Sequence, residues 1–424
     1  MSLIKSIQLY LEESMPNYIE LLRRMVEINS FTANAQGVNQ LGQLTTQIFS
    51  QLGFEANIVP SSQSDYGQHL FLTRSARKDL PHQPRTVAMV SHLDTVFPVE
   101  EEALNHFNFR IEGDRIYGPG TVDIKGGSIV MFMTLDALQQ FATPVFESTD
   151  WVLAFNASEE VLSDDFGKHL LQRLPETTSA CLVFEGGTPI SNPQAGASDQ
   201  QFVIVNERKG RATFLIQVEG RGAHAGNYHA SGANAVVQMA HTILELAALT
   251  DYDRQLTVNV GTVKGGNVIN RVPHYAEAGV DMRAFSPLVF QETIEKIQAL
   301  GASSQVKSQD GFACKVTVKT IDRTSPWPIN PATQALFEIW GQNAQKIEAS
   351  IQAEARGGLS DGNFFWQRFP TIDGLGPVGA NAHCSEKTPD GSKDQEYALQ
   401  SSFVPKTVLN ALSIIQLIES HSSQ

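Results

Sequence analysis

Three short runs of this chain are apolar at nearly every position: TVAMVS (86–91), WVLAFN (151–156) and ACLVFE (180–185). A strand that is apolar on both faces must be covered on both faces, which is the situation of a mostly parallel sheet sandwiched by helices. The cover is at hand. Helical patterns run over 3–28, 37–52 and 126–142, and a further strand-like run, FEANIV, occupies 54–59. Strands interleaved with helices predict an α/β fold with a mixed, largely parallel sheet flanked by helices.

Near residue 206 the texture changes. ATFLIQVEG alternates apolar and polar residues, as a half-exposed antiparallel strand does. A helix pattern (231–249), strands at 256–263 and 276–285, a second helix (288–300) and a strand at 314–321 follow. That β-α-β-β-α-β order is the split-βαβ, ferredoxin-like layout. It reads as an α+β module of about 115 residues inserted into the larger domain, a size within the ordinary domain range. The expected division is 1–205, 206–319 and 320–424, the outer parts forming one domain that ends in an amphipathic helix over 404–420.

Composition limits the partners. Lys and Arg number 31 against 45 Asp and Glu, a formal charge of −14, which argues against nucleic acid or an anionic membrane surface. The three cysteines imply neither a disulfide framework nor a CxxC metal site. No uninterrupted apolar run approaches 18 residues, so no transmembrane helix is expected. Glu12, Glu13 and Glu20 make the N-terminal stretch an amphipathic surface helix rather than a signal peptide, and the expected location is the cytoplasm.

The chemistry sits where strands end. TVAMVS runs into His92-Leu-Asp94, WVLAFN into Ala-Ser-Glu159-Glu160, and ACLVF into Glu185-Gly-Gly. Between them a glycine-rich turn, GPGTVDIKGG (118–127), carries Asp123 at the mouth of a helix, and His383 lies far downstream. In open α/β sheets, sites form beyond the carboxyl ends of strands. Taken singly, each element has an ordinary reading as a buried His–Asp pair, a helix cap or a solvated acidic face. Together, two imidazoles and three carboxylates can hold two divalent ions about 3.5–4 Å apart, one carboxylate bridging them. Neighbouring side chains diverge at a strand end, so Glu160 can be a ligand while Glu159 faces the attacking water as general base. Nitrogen and oxygen donors without thiolate suit zinc, cobalt or manganese.

The motifs SHLDTVFP (91–98), GPGTVDIKGG (118–127), NASEEV (156–161), FEGG (184–187) and HCSEK (383–387) occur in that order. The separations from His92 to Asp123, Glu160, Glu185 and His383 are successively 31, 37, 25 and 198 residues. In this the chain resembles the dinuclear zinc metallopeptidases that include glutamate carboxypeptidases, aminoacylases, acetylornithine deacetylases and succinyl-diaminopimelate desuccinylases. The resemblance covers essentially the whole chain. It implies that Asp123 bridges two zinc ions, His92 and Glu185 binding one and Glu160 and His383 the other. It implies that Asp94 orients the His92 ring, that Glu159 is the general base acting on a bridging water, and that the Asp123–Ile124 peptide is cis. The inserted module resembles the family's dimerisation lid. There His224, in GRGAHAG (220–226), is implied to reach the partner subunit's active site and stabilise the oxyanion. Asn267, or else Asn270, is the implied substrate contact in GGNVIN (265–270). Arg356 and Arg283 are candidates for a bidentate grip on a substrate carboxylate, with a surface ion pair as the ordinary alternative for each. Cys384 is read as packing.

The context of Arg356 in RGGLSDG (356–362) is most similar to the glutamate carboxypeptidase branch. The expected activity is cleavage of an amide or peptide bond next to a free carboxylate, in a small peptide or an N-acyl amino acid. The runner-up is an N-acyl amino acid deacylase. Two remoter readings stand beside these. Gly358-Leu-Ser360-Asp-Gly362 is a formal GxSxG, with Asp373 and His383 downstream in serine-hydrolase order. Its preceding residues, QAEAR (352–356), are not the buried strand that a nucleophile elbow follows. A binding protein that kept the fold without catalysis is the other.

Overall fold

The three apolar runs become neighbouring parallel strands. Arg85–His92 pairs in parallel with Thr149–Asn156 on one side and Thr178–Val183 on the other. The sheet has six strands in the order Glu55–Pro60, Gln68–Arg74, Thr149–Asn156, Arg85–His92, Thr178–Val183, Thr371–Ile372, the first two joining antiparallel. It is therefore mixed with a parallel centre. Arg85–His92 is buried at all but its first residue, as an apolar run covered on both faces must be. This computed structural model describes residues 1–79, 83–161, 163–190, 200–302 and 304–422.

Helices supply the cover. Leu3–Val26 buries Ile7, Leu11, Met15, Tyr18, Leu22 and Met25, a spacing of three and four that places one stripe on the core. Its N-cap is Ser2, whose hydroxyl accepts the Lys5 amide. Lys125–Phe141 is buried from Lys125 through Leu135 without a polar face, so it is a central helix. The last helix, Gln400–Ser422, begins before the expected 404 and carries Pro405 inside it. It is long and apolar enough to cross a membrane, yet 72% of its apolar window is buried inside the fold, as a core helix is.

The chain divides into two units. The first comprises Met1–Asn206, Ile329–Glu354 and Ser360–Gln424; the second comprises Glu207–Pro328 and Ala355–Leu359. Within the second, four antiparallel strands run in the order Thr257–Gly265, Tyr275–Ala284, Gly210–Glu219, Lys315–Thr324, with helices Ala235–Ala247 and Pro287–Ala299. Every second residue of Gly210–Glu219 is buried, so this sheet turns one face to a core built on Phe214, Ile216 and Val218. The expected join at 319/320 requires correction. It falls inside the strand Lys315–Thr324, which stays paired with Gly210–Glu219 as far as Thr324. The second unit therefore runs on to Pro328.

Candidate metal centre

Parallel pairing brings three ligand-bearing strand ends side by side. His92 is the last residue of its strand and stands level with Asn156, and Val90 stands level with Val183. The chain leaves each strand at the same edge of the sheet, so Glu159, Glu160 and Glu185 emerge around His92. The turn that carries Asp123 is pressed onto this edge. A Cβ on Gly127 would lie 2.0 Å from the Phe184 carbonyl oxygen, so only glycine allows the approach. Gly118 turns the chain at φ 144°, a conformation that favours glycine. The Asp123–Ile124 peptide is cis.

Asp123 lies between the two imidazoles. Its Oδ1 is 3.0 Å from His92 Nε2 and its Oδ2 is 3.3 Å from His383 Nε2. His92 Nε2 is also 3.7 Å from Glu185 Oε1, and His383 Nε2 is 3.1 Å from Glu160 Oε2. One carboxylate thus has one oxygen on each side, each side completed by one histidine and one glutamate. Among the described residues, His92, Asp123 and Glu160 bring their donor atoms within 4.8 Å of one another. Glu160 Oε1 is buried without a hydrogen-bond partner among the described residues. A buried carboxylate oxygen of that kind is costly unless something positive meets it. The donor set therefore fits borderline divalent cation binding.

The electrostatics point the same way. Burial opposes charge on His92, yet its contacts with Asp123 and Asp94 hold its pKa well above the usual histidine value. His383 is raised to about 11, first by its hydrogen bonds to Asp123 and Glu160. Burial would raise Asp123, but hydrogen bonds from both histidines hold it below the usual carboxylate range. Metal ligands must be deprotonated, so an ion entering here displaces the imidazole protons. Zinc binding at neutral pH is expected to release protons, and affinity to fall as pH falls. Titration calorimetry in buffers of different ionisation enthalpy reads this directly; an enthalpy independent of the buffer would contradict it.

Glu159 is pushed well above the ordinary glutamate value, chiefly by burial and then by the charges of Glu185, Asp361 and Glu160, with His92 opposing. Its position comes from Asp94. Asp94 Oδ1 accepts the Glu159 amide at 3.0 Å, and Oδ2 accepts the Glu160 amide at 3.2 Å and the Thr32 hydroxyl at 2.7 Å. His92 Nδ1 is 3.0 Å from the Asp94 main-chain oxygen and 3.4 Å from its carboxylate, so Asp94 faces the His92 ring as well as the Glu159–Glu160 turn. Thr32 carried no signal in the sequence, because its partner is 62 residues away.

Other candidates lie in the second unit. His224 is exposed, and its Nδ1 accepts the amides of Gly226 and Asn227, each at 3.1 Å. Both groups can only donate, so the ring proton sits on Nε2, free to donate outward. The GRGAHAG and GGNVIN loops are tied together, Ala225 N–H donating to the Asn270 carbonyl and Val272 N–H to the Ala223 carbonyl. Asn267 and Asn270 are both exposed there. Arg283 Nε is bonded to Asp281 at 2.9 Å and its Nη1 to the Gly357 carbonyl at 3.1 Å, the ion-pair alternative. Arg356 ends the strand Ala349–Arg356, and its carbonyl accepts the Lys209 amide. Cys384, in the first unit, directs its Sγ at the Glu386 carbonyl.

Ser360 is 1% exposed and its hydroxyl donates to Asp373 Oδ2 at 2.8 Å, while its oxygen caps the turn at Gly362. It follows a bend rather than a buried strand. An alkyl phosphonate is expected to leave Ser360 unlabelled in intact protein, as read by mass spectrometry; stoichiometric labelling would revive the serine-hydrolase reading.

Residues 206–307 match the peptidase dimerisation domain of the M20 family. The chain is 28% identical over 272 residues to carboxypeptidase G2 of Pseudomonas sp. (strain RS-16), an alignment spanning 64% of this chain and 60% of that protein. It is 22% identical over 345 residues to acetylornithine deacetylase of Klebsiella pneumoniae (strain 342), covering 78% and 82% of the two. An M20 family metallo-carboxypeptidase from Sulfolobus solfataricus superposes with a TM-score of 0.67 at 14% identity, covering 95% of this chain and 99% of that one, a likeness of fold.

Proposed function

We propose that this chain, which belongs to the M20 metallopeptidase family, is a metal-dependent hydrolase that cleaves an amide bond next to a free carboxylate. The observation that carries the reading is Asp123, whose two oxygens face two different histidines, each paired with its own glutamate. His92 and Glu185 would hold one divalent ion, Glu160 and His383 the other, and Asp123 both; zinc is the favoured metal, with cobalt or manganese suited to the same donors. Bound there, the ions supply Lewis-acid polarisation of the scissile carbonyl and acidify water.

The chain's own residues do the rest. Asp94, through two backbone amides, fixes the turn from which Glu159 projects. Glu159 takes the proton of the attacking water and passes it to the leaving nitrogen. His224, with its proton on Nε2, suits donation to an oxyanion. In our reading it serves the active site of a partner copy.

A homodimer through the second unit is part of the proposal. Val236, Val237 and Leu244 are exposed on the helix Ala235–Ala247, and Val263 on the edge strand Thr257–Gly265. An apolar helix face beside an open strand edge favours a twofold partner of its own kind.

The favoured substrate is an acyl or peptidyl group attached to a C-terminal glutamate, in line with the resemblance around Arg356. Assaying peptidyl and acyl glutamates against N-acetyl amino acids, with zinc, cobalt or manganese added, tests it. Faster turnover of the glutamate series is expected. Faster N-acetyl hydrolysis would establish the deacylase instead, and saturable binding without turnover of either series would establish a binding protein.

A further inference from the structure

A buried glutamate ties together the two loops on which the bridging carboxylate and the distant histidine depend. Glu396 is 0% exposed, and its Oε1 accepts the amides of Val122 at 3.0 Å and Asp123 at 3.2 Å. Its own amide donates to the Cys384 carbonyl at 2.8 Å, one residue beyond His383. Glu396 thus reaches the Asp123 turn with its side chain and the His383 turn with its backbone.

The surrounding sheet explains why one residue can do both. Glu396 immediately precedes the strand Tyr397–Leu399, the centre of a small sheet. On one side Tyr397 stands level with Tyr117, the last residue before the GPGTVDIKGG turn. On the other it stands level with Ala380, three residues before His383. The two ligand loops therefore leave opposite neighbours of a single strand, and Glu396 stands at the head of that strand between them. His383 needs such support, because it sits at φ 66° with its side chain 52% exposed. Gln395 adds to it, its Nε2 donating to the carbonyls of Ser385 at 2.7 Å and Asn105 at 2.9 Å.

We propose that Glu396 is a positioning residue that sets the spacing between Asp123 and His383, and hence the affinity of the centre for its metal ions, by gathering the Val122 and Asp123 amides onto one oxygen. The proposal rests on the metal-site reading above. Groups that orient ligands in this way typically control metal affinity by about 10–100-fold.

The test is zinc affinity of the full chain, measured by competition with a chromophoric chelator, beside the melting temperature of the zinc-free protein. Glu396→Ala is expected to bind zinc at least tenfold more weakly while its zinc-free form still melts cooperatively. Glu396→Gln keeps an oxygen that accepts both amides and is expected to stay within about threefold of the parent. Wild-type affinity in the alanine variant overturns the proposal, and so does a glutamine variant as weak as alanine. If the alanine variant fails to fold, Glu396→Asp takes its place: too short to span both amides, it is expected to lose tenfold, and wild-type affinity there overturns the proposal equally. Parent protein that takes up no zinc would overturn the metal-site reading itself, a result distinct from either.

Discussion

Replacing Glu159 by glutamine is expected to lower kcat by about 10²–10⁴-fold while leaving the metal content unchanged. The size follows from what is removed: a carboxylate that accepts the proton of the attacking water becomes an amide that cannot. That factor corresponds to about 3–5 kcal/mol of barrier. The unchanged metal content follows from the geometry. Glu159 leaves Asp123 to His92 and His383, and its neighbour Glu160 faces His383. Glutamine is close in size, and the Glu159 backbone amide that Asp94 holds is untouched. KM should move little, because the change acts on proton transfer. A variant that kept parental turnover would remove Glu159 from the reaction, and one that lost its metal would make Glu159 a ligand.

Replacing Asp123 by alanine is expected to abolish turnover and metal uptake together. Among the described residues, Asp123 is the one that faces both imidazoles, so its loss leaves each side with one histidine and one glutamate. A second readout is stability. A ligand at a thousand times its dissociation constant stabilises the folded state by about 4 kcal/mol, so added zinc should raise the melting temperature of the parent and not of the variant. A variant that still takes up a full complement of zinc would show that Asp123 is not shared.

Much of this was legible in the sequence. Runs apolar on both faces announced the central strands, and a ligand-type residue after each announced the edge where they open. The alternation in ATFLIQVEG announced the second sheet. Less legible were contacts between residues far apart in the chain with no pattern of their own. Gln68–Arg74 is a strand the sequence analysis does not contain, and it completes a hairpin with the exposed strand Glu55–Pro60. Thr32 on Asp94, and Glu396 on the Val122 and Asp123 amides, are single polar residues whose meaning exists only after folding. The join near 320 is not visible in the sequence, because Lys315–Thr324 continues past the point where its apolar alternation fades. Polar side chains on the open face of a sheet leave no mark at which a reader of sequence would stop. Arg283 shows the opposite hazard: an arginine suited to grip a carboxylate is bonded to the carboxylate two residues away.

Metal content set against activity decides whether this site is a metal centre that cleaves amides. Purified protein is dialysed against a strong chelator, analysed for metal by plasma mass spectrometry, and assayed on the preferred acyl- or N-acyl amino acid before and after zinc, cobalt or manganese is returned. Two divalent ions per chain are expected in the active protein, with loss of cleavage to background when both are stripped and its return with metal. Cleavage that survives in protein free of divalent metal would contradict this expectation.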